Sequence, residues 1–179
     1  MNPLFLISNI KRLFKRPKFI TGKIMVLSLV SLFTVIASEM VYPIIPLYLS
    51  SLGYGAATIG LLEGVANAVT GLSQGWFGYY SDRIRKPEWF VRIGYSISAV
   101  SKPLLAVIHG IYACVFGTRV MDLFGKAIRS DARDAILAND STPENRGKVF
   151  GFHSSLNTLG ATIGPIFAVV ILLFVQNNY

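Results

Sequence analysis

The sequence predicts an all-α, polytopic membrane bundle of about five transmembrane helices. Three observations predict it. The 179-residue chain is 53% hydrophobic and only 15% charged, where soluble domains carry about 25% charged residues. Its mean hydropathy is +0.53, and its apolar residues fall in runs of membrane-spanning length, about 20 residues each. Its basic residues cluster where those runs end: Lys11, Arg12, Lys15, Arg16, Lys18 and Lys23 before the first, and Arg83, Arg85, Lys86 and Arg92 between the second and third.

The first span covers residues 24–49, followed by a short loop at 50–57. The second covers 58–80 and the third 90–112, with a basic loop at 81–88 between them. The third and fourth spans form a hairpin at 110–113, and the fourth runs over 113–138. A second basic loop at 139–148 leads to the fifth span, 149–175. The positive-inside rule puts residues 1–23 and both basic loops in the cytoplasm, so the topology is self-consistent. The expected organisation is a cytoplasmic basic segment, 1–23, and a helical bundle, 24–179, integral to the plasma (cell inner) membrane. Residues 4–16 have the pattern of an amphipathic surface helix, with Leu4, Phe5, Ile7, Leu13 and Phe14 toward lipid; a disordered tail is the alternative. The N-terminal stretch is too long and irregular for a typical signal peptide.

The net charge of +8 admits a nucleic-acid reading, but each basic cluster abuts an apolar span, so no nucleic-acid partner is expected. The single cysteine, Cys114, excludes an internal disulfide. No nucleophile–base pairing, phosphate loop or zinc spacing is present. Neither an enzyme nor a cofactor or metal is expected.

The most informative segment is the fourth span. Arg119, Asp122, Lys126, Arg129 and Arg133 recur at steps of three or four, which on a helix puts them on one face. Ionisable groups at membrane depth cost at least about 2.5 kcal/mol each and face a bundle interior or a wet cavity. The stripe therefore points to a helix beside a water-accessible path.

Local signals agree with helices. Ser141-Thr142-Pro143-Glu144 reads as a helix start, with a hydroxyl cap, a first-turn proline and an acid at the positive dipole end. Gly60-x-x-x-Gly64, Gly71-x-x-x-Gly75 and Gly160-x-x-x-Gly164 are spacings that let helix backbones approach closely. Pro43 and Pro46 are expected to bend the first span.

At Gly78-Tyr79-Tyr80-Ser81-Asp82-Arg83-Ile84-Arg85-Lys86 the sequence resembles the signature loop of major facilitator superfamily (MFS) transporters. Gly78, Asp82, Arg83 and Lys86 match, while Arg85 stands where that family usually has glycine. The resemblance continues at Arg119 in the fourth helix and at Gly160-x-x-x-Gly164-Pro165 in the fifth, though the second pair of glycines of the antiporter-type motif is absent. It implies a partial N-terminal six-helix domain, with solute bound at the midplane between two half-bundles. It also implies that Arg119 tunes proton or substrate binding. Asp82 would act as a cytoplasmic latch at a helix of the other half, and Arg83 would pair with an acid at the inner end of the fourth span, Asp131 or Asp134. With five helices, the chain reads as an N-terminal half or fragment.

Proton coupling needs a carboxylate able to take up a proton at membrane depth. Glu39, Glu63 and Asp122 are the candidates; permanent pairing that only holds helices together is the alternative, and it is favoured for Glu63. Arg119 reads as the deepest cation, with Asp122 pairing to it at i+3 or to Lys126 at i+4. Lys102 faces the same cavity or pairs with Glu39 or Asp122. Lys126 and Arg129 are candidate anion binders, with snorkelling to the interface as the alternative for Arg129 and Arg133. His153 and Asn157 share a face, which makes Asn157 a cavity candidate. His109 is isolated. Trp76 and Trp89, and Tyr42, Tyr48 and Tyr54, suit the two aromatic belts.

The expected cavity set is therefore Glu39, Lys102, Arg119, Asp122, Lys126 and Asn157, and the switch loop is Gly78, Asp82, Arg83 and Lys86. The expected function is proton-coupled secondary transport of a small solute, symport or antiport, with a weak lean to anionic or amphiphilic substrates. The expected partners are the lipid bilayer, the solute, and a second half-bundle or second copy. The alternative is a non-transporting remnant or a structural subunit of a split transporter.

Overall fold

The computed structural model describes residues 20–107 and 112–176. They form five helices: α1 Gly22–Ser51, α2 Ala56–Ile84, α3 Pro87–Val107, α4 Tyr112–Asn139 and α5 Arg146–Gln176. The five expected spans are present in order, and no strand occurs among the described residues. The surface helix expected at 4–16, His109 and the hairpin around Gly110 lie outside the described residues.

Alternating direction puts the starts of α1, α3 and α5 at one end of the bundle, with the basic Arg85–Lys86 connection. Two helices, α1 and α5, are long and apolar enough to cross a membrane by themselves, with mean hydropathies of 2.2 and 2.0 over their best windows. Their outward side chains, among them Val26, Val30 and Phe33 on α1 and Phe167, Val169 and Leu173 on α5, are exposed. An apolar surface of that extent suits lipid rather than water.

Apolar packing is concentrated at the two ends. At the basic end, Ile20, Ile24, Leu137 and Val149 join α1, α4 and α5. At the opposite end, Ile45, Leu49, Leu62 and Val115 join α1, α2 and α4. Between them buried polar and charged residues, among them Ser98, Arg119, Asp122 and Arg129, are interleaved with apolar ones such as Leu123 and Ala127. α1 starts at Thr21, whose hydroxyl accepts from the Ile24 amide at 3.2 Å and donates to Asp140 in the α4–α5 connection. The helix start expected at 141–144 is instead a turn over 143–145, with the Thr142 carbonyl accepting from Asn145 and Arg146, and α5 begins only at Arg146 with no acid in its first turn. Hydrogen bonds from its own backbone amide and then from Thr142 hold the Glu144 carboxyl below the ordinary range.

Glycines set the close helix contacts, but not always the ones the spacing predicts. Gly160 and Gly164 do seat α5 on α1: a Cβ at Gly164 would stand 2.7 Å from the Glu39 Cβ and 2.9 Å from the Ile36 carbonyl. Gly60, Gly64, Gly71 and Gly75 face open space instead. The closest backbone-to-backbone approach among these joins α3 to α4 through two lone glycines, where a Cβ on Gly94 would lie 2.6 Å from the Gly125 carbonyl, and one on Gly125 2.7 Å from that of Gly94.

The expected loop at 81–88 is largely helix. α2 continues through Asp82 and Arg83 to Ile84, and Arg85 terminates it in the left-handed region at φ 55°, ψ 28°, its amide donating to the Ser81 carbonyl. Arg85 thus takes the conformation that glycine adopts most readily at a helix end.

Gly125→Ala is expected to lower stability by about 1–3 kcal/mol through overpacking. Gly64→Ala should be neutral or stabilising by up to about 1 kcal/mol. Thermal unfolding in mild detergent separates the two. By the same measurement Arg85→Gly should raise stability by about 0.5–1 kcal/mol, because left-handed strain of about 1–2 kcal/mol is relieved against a smaller entropic cost.

Candidate functional site

α4 faces the interior with its charged stripe, and its neighbours supply the partners. The Arg119 guanidinium makes a two-point ion pair with Glu63 of α2, Nε to Oε1 at 2.9 Å and Nη2 to Oε2 at 3.1 Å. Its other side lies over the Tyr42 ring of α1, 5.3 Å from the centroid. One turn on, Asp122 accepts from Lys102 Nζ of α3 at 2.8 Å and from the Ser38 hydroxyl of α1 at 3.4 Å. Lys102 also donates to the Ser98 carbonyl at 3.1 Å.

These pairs correct the expected one. Arg119 and Asp122 share a face, but each is paired across a helix interface rather than with its neighbour along the helix. Glu63 is paired as expected, and its partner is Arg119. Lys102 takes the second of its two expected partners, Asp122. Arg119 is buried, whereas Lys126, nearer the middle of α4, is exposed. Tyr42, expected in an aromatic belt, also lines the site.

A cavity of about 160 Å³ opens between α1, α2 and α4, lined by Ser38, Glu39, Tyr42, Asn67, Arg119, Asp122, Leu123 and Lys126. It brings together four of the six expected cavity residues: Glu39, Arg119, Asp122 and Lys126. Lys102 reaches it only through Asp122. Asn157 does not line it. Asn157 Nδ2 meets His153 Nε2 at 3.0 Å, Asn157 Oδ1 accepts from the Ser31 hydroxyl at 2.8 Å, and His153 Nδ1 meets the Ser28 hydroxyl at 3.1 Å. This buried polar seam joins α5 to α1, and Arg133 extends it by donating to Ser31 at 3.3 Å.

Arg129 leaves both of its expected places. It is buried against α3, 4.8 Å from the centroid of the Tyr95 ring, donating to the Gly94 carbonyl and the Ser98 hydroxyl. The close Gly94–Gly125 contact brings that carbonyl within reach.

At the basic end, Asp131 accepts from Gln74 at 2.8 Å and lies so close to Gly78 that a Cβ there would be 2.5 Å from its Oδ2. Asp134 pairs with Arg133 at 2.9 Å. Neither acid meets Arg83: Asp131 lies against Gln74 and Gly78, earlier on α2, and Asp134 is held by Arg133. Asp82, Arg83 and Lys86 are exposed.

The sequence profile of the Major Facilitator Superfamily matches residues 27–176, nearly the whole chain. The chain belongs to the major facilitator superfamily. This MFS bundle is 30% identical over 172 residues to an uncharacterised MFS-type transporter of Methanocaldococcus jannaschii, covering 96% of the chain and 42% of the relative. It is 31% identical over 134 residues to uncharacterised proteins of Mycobacterium bovis and Mycobacterium tuberculosis, covering 73% of the chain and 32% of each. The chain thus spans less than half the length of these relatives. No solved structure matches it significantly. Family membership makes it an integral membrane protein of a transporter family.

Ser38 carries no sequence signal as a cavity residue, whereas Asn67 and Gln74 do. Asn67 and Gln74 share a polar stripe of α2 with Glu63 and Thr70, spaced at i, i+4, i+7 and i+11, and that stripe faces α4.

Arg119→Ala should cost about 3–5 kcal/mol, because it leaves the Glu63 carboxylate buried without a partner. Adding Glu63→Gln should recover most of the loss. Thermal unfolding of both variants in detergent is the check.

Proposed function

We propose that the chain acts as part of a proton-coupled secondary transporter that moves a small solute by alternating access. The observation that carries this reading is the cavity between α1, α2 and α4, walled by two ion pairs and two further charges at membrane depth. Membership of a transporter family supports it. Charge of that density is expensive in a bilayer and marks a solute or proton path.

The two ion pairs differ in how readily they open. Arg119 grips Glu63 through a rigid fork, whereas Lys102 meets Asp122 as a point charge on a flexible stem. We assign the coupling proton to Asp122 and a scaffolding role to Glu63–Arg119. Glu39 and Lys126 are left for solute. Arrival of the proton at Asp122 would release Lys102 and the weak Ser38 bond, loosening α3 and α1 from α4.

The relatives are more than twice as long as the chain, which supports a five-helix portion of an N-terminal half-bundle that works with a second bundle. That bundle is either a continuation of the polypeptide or a second copy. The open glycine face of α2 offers it a close seat. The exposed Asp82, Arg83 and Lys86 would meet it at the basic end, with Gly78 holding α2 near Asp131. The basic end is cytoplasmic under the positive-inside rule, in the cell's inner membrane.

Proteoliposomes of the full chain, loaded with pyranine and given an inward proton gradient, test the reading. Addition of a mixture of small amino acids and organic acids should accelerate proton entry. Asp122→Asn should abolish that entry and leave solute exchange largely intact. A strictly monomeric chain on native gels, with no solute-dependent proton entry, would instead identify a non-transporting subunit.

A further inference from the structure

The sequence offers four cations to the cavity, Lys102, Arg119, Lys126 and Arg129, and so leans toward an anionic substrate. The structure removes three of them. Arg119 is neutralised by Glu63 and Lys102 by Asp122. Arg129 is turned away from the cavity, into the backbone and aromatic ring of α3. What remains on the cavity wall is one acid, Glu39 on α1, and one base, Lys126 on α4. Neither belongs to an ion pair among the described residues.

An acid and a base that share a small cavity at membrane depth without meeting are costly to leave unanswered. Their cheapest partner is one molecule carrying both opposite charges. The neutral groups fit the same guest. Asn67 spends its amide on the Glu63 carbonyl at 2.8 Å, leaving its side-chain oxygen as an acceptor in the cavity that Glu39 also lines. The carboxylate of Asp122 is already taken by Lys102 and Ser38.

We propose that the cavity takes a small zwitterionic solute of the amino-acid type, its ammonium group held by Glu39 and its carboxylate by Lys126. The inference rests on the reading of this cavity as a solute site. It changes the expected substrate class from anionic to zwitterionic. Glu39 packs against Gly164, so the seat of the ammonium is fixed by the α1–α5 contact, while Lys126 is exposed and able to follow solutes of different length.

Isothermal titration calorimetry on the full chain in lipid nanodiscs is the test. The zwitterionic probes are glycine, γ-aminobutyrate and ε-aminocaproate; butyrate, butylamine and butyramide carry only one charge or none. At least one zwitterion is expected to bind about ten-fold or more tighter than all three controls, the worth of one charged hydrogen bond. Glu39→Gln should make butyrate the best ligand, and Lys126→Gln should favour butylamine. Tightest binding of butyrate to the unaltered chain would overturn the zwitterion and leave the solute site standing, as would an unchanged ranking in both variants. No heat from any of the six probes would overturn both.

Discussion

Everything in this bundle answers to the charge on one face of α4. Arg119, Asp122, Lys126, Arg129 and Arg133 cannot face hydrocarbon, so α4 must be surrounded, and each neighbouring helix must present something polar at the right height. α2 brings Glu63 and Gln74, α3 brings Lys102 and Ser98, and α1 brings Ser38, Tyr42 and Ser31. The central position of α4 follows from this requirement. So does the contrast with α1 and α5, whose outward faces remain apolar because they have little charge to hide.

Pairing at such short range needs helices that approach closely, and glycine provides the approach. The Gly94–Gly125 contact brings α3 within reach of Arg129, and Gly78 lets Asp131 lie against α2. Small residues and charged residues therefore act together: removing a side chain at one position lets a charge be satisfied at another.

Five helices, their order and the importance of the fourth were legible in the sequence, because apolar runs and a 3.6-residue charge period are local signals. Partners were not. Arg119 and Glu63 are 56 positions apart, and a sequence offers only helical neighbours such as Asp122 as candidates. The Gly94–Gly125 contact was hidden because neither glycine belongs to a paired spacing, whereas the conspicuous Gly60–Gly64 and Gly71–Gly75 pairs face open space. The run through Asp82 and Arg83 read as loop because it is basic, yet a polar stretch at a bundle end remains helical once it leaves the membrane. Asn157 was placed on the correct face of its helix, but that face meets α1 through His153, away from the cavity.

The fastenings of the bundle fall into two sets. α2 and α3 are tied to α4 by ion pairs and glycine contact, and α5 is tied to α1 by Gly160, Gly164 and the His153 seam. Between the two sets, at mid-height, the polar contacts include long or adaptable ones: Ser38 to Asp122 at 3.4 Å, Tyr42 beneath Arg119, and Arg133 to Ser31 at 3.3 Å. Apolar clusters close this line at either end, and apolar contact has no preferred direction. Mechanically, the described helices divide into two closely fastened sets that meet along a more sparsely bonded line, with the cavity on that line. A guest gripping α1 and α4 at once would clamp the two sets together, so that occupancy is read as shape.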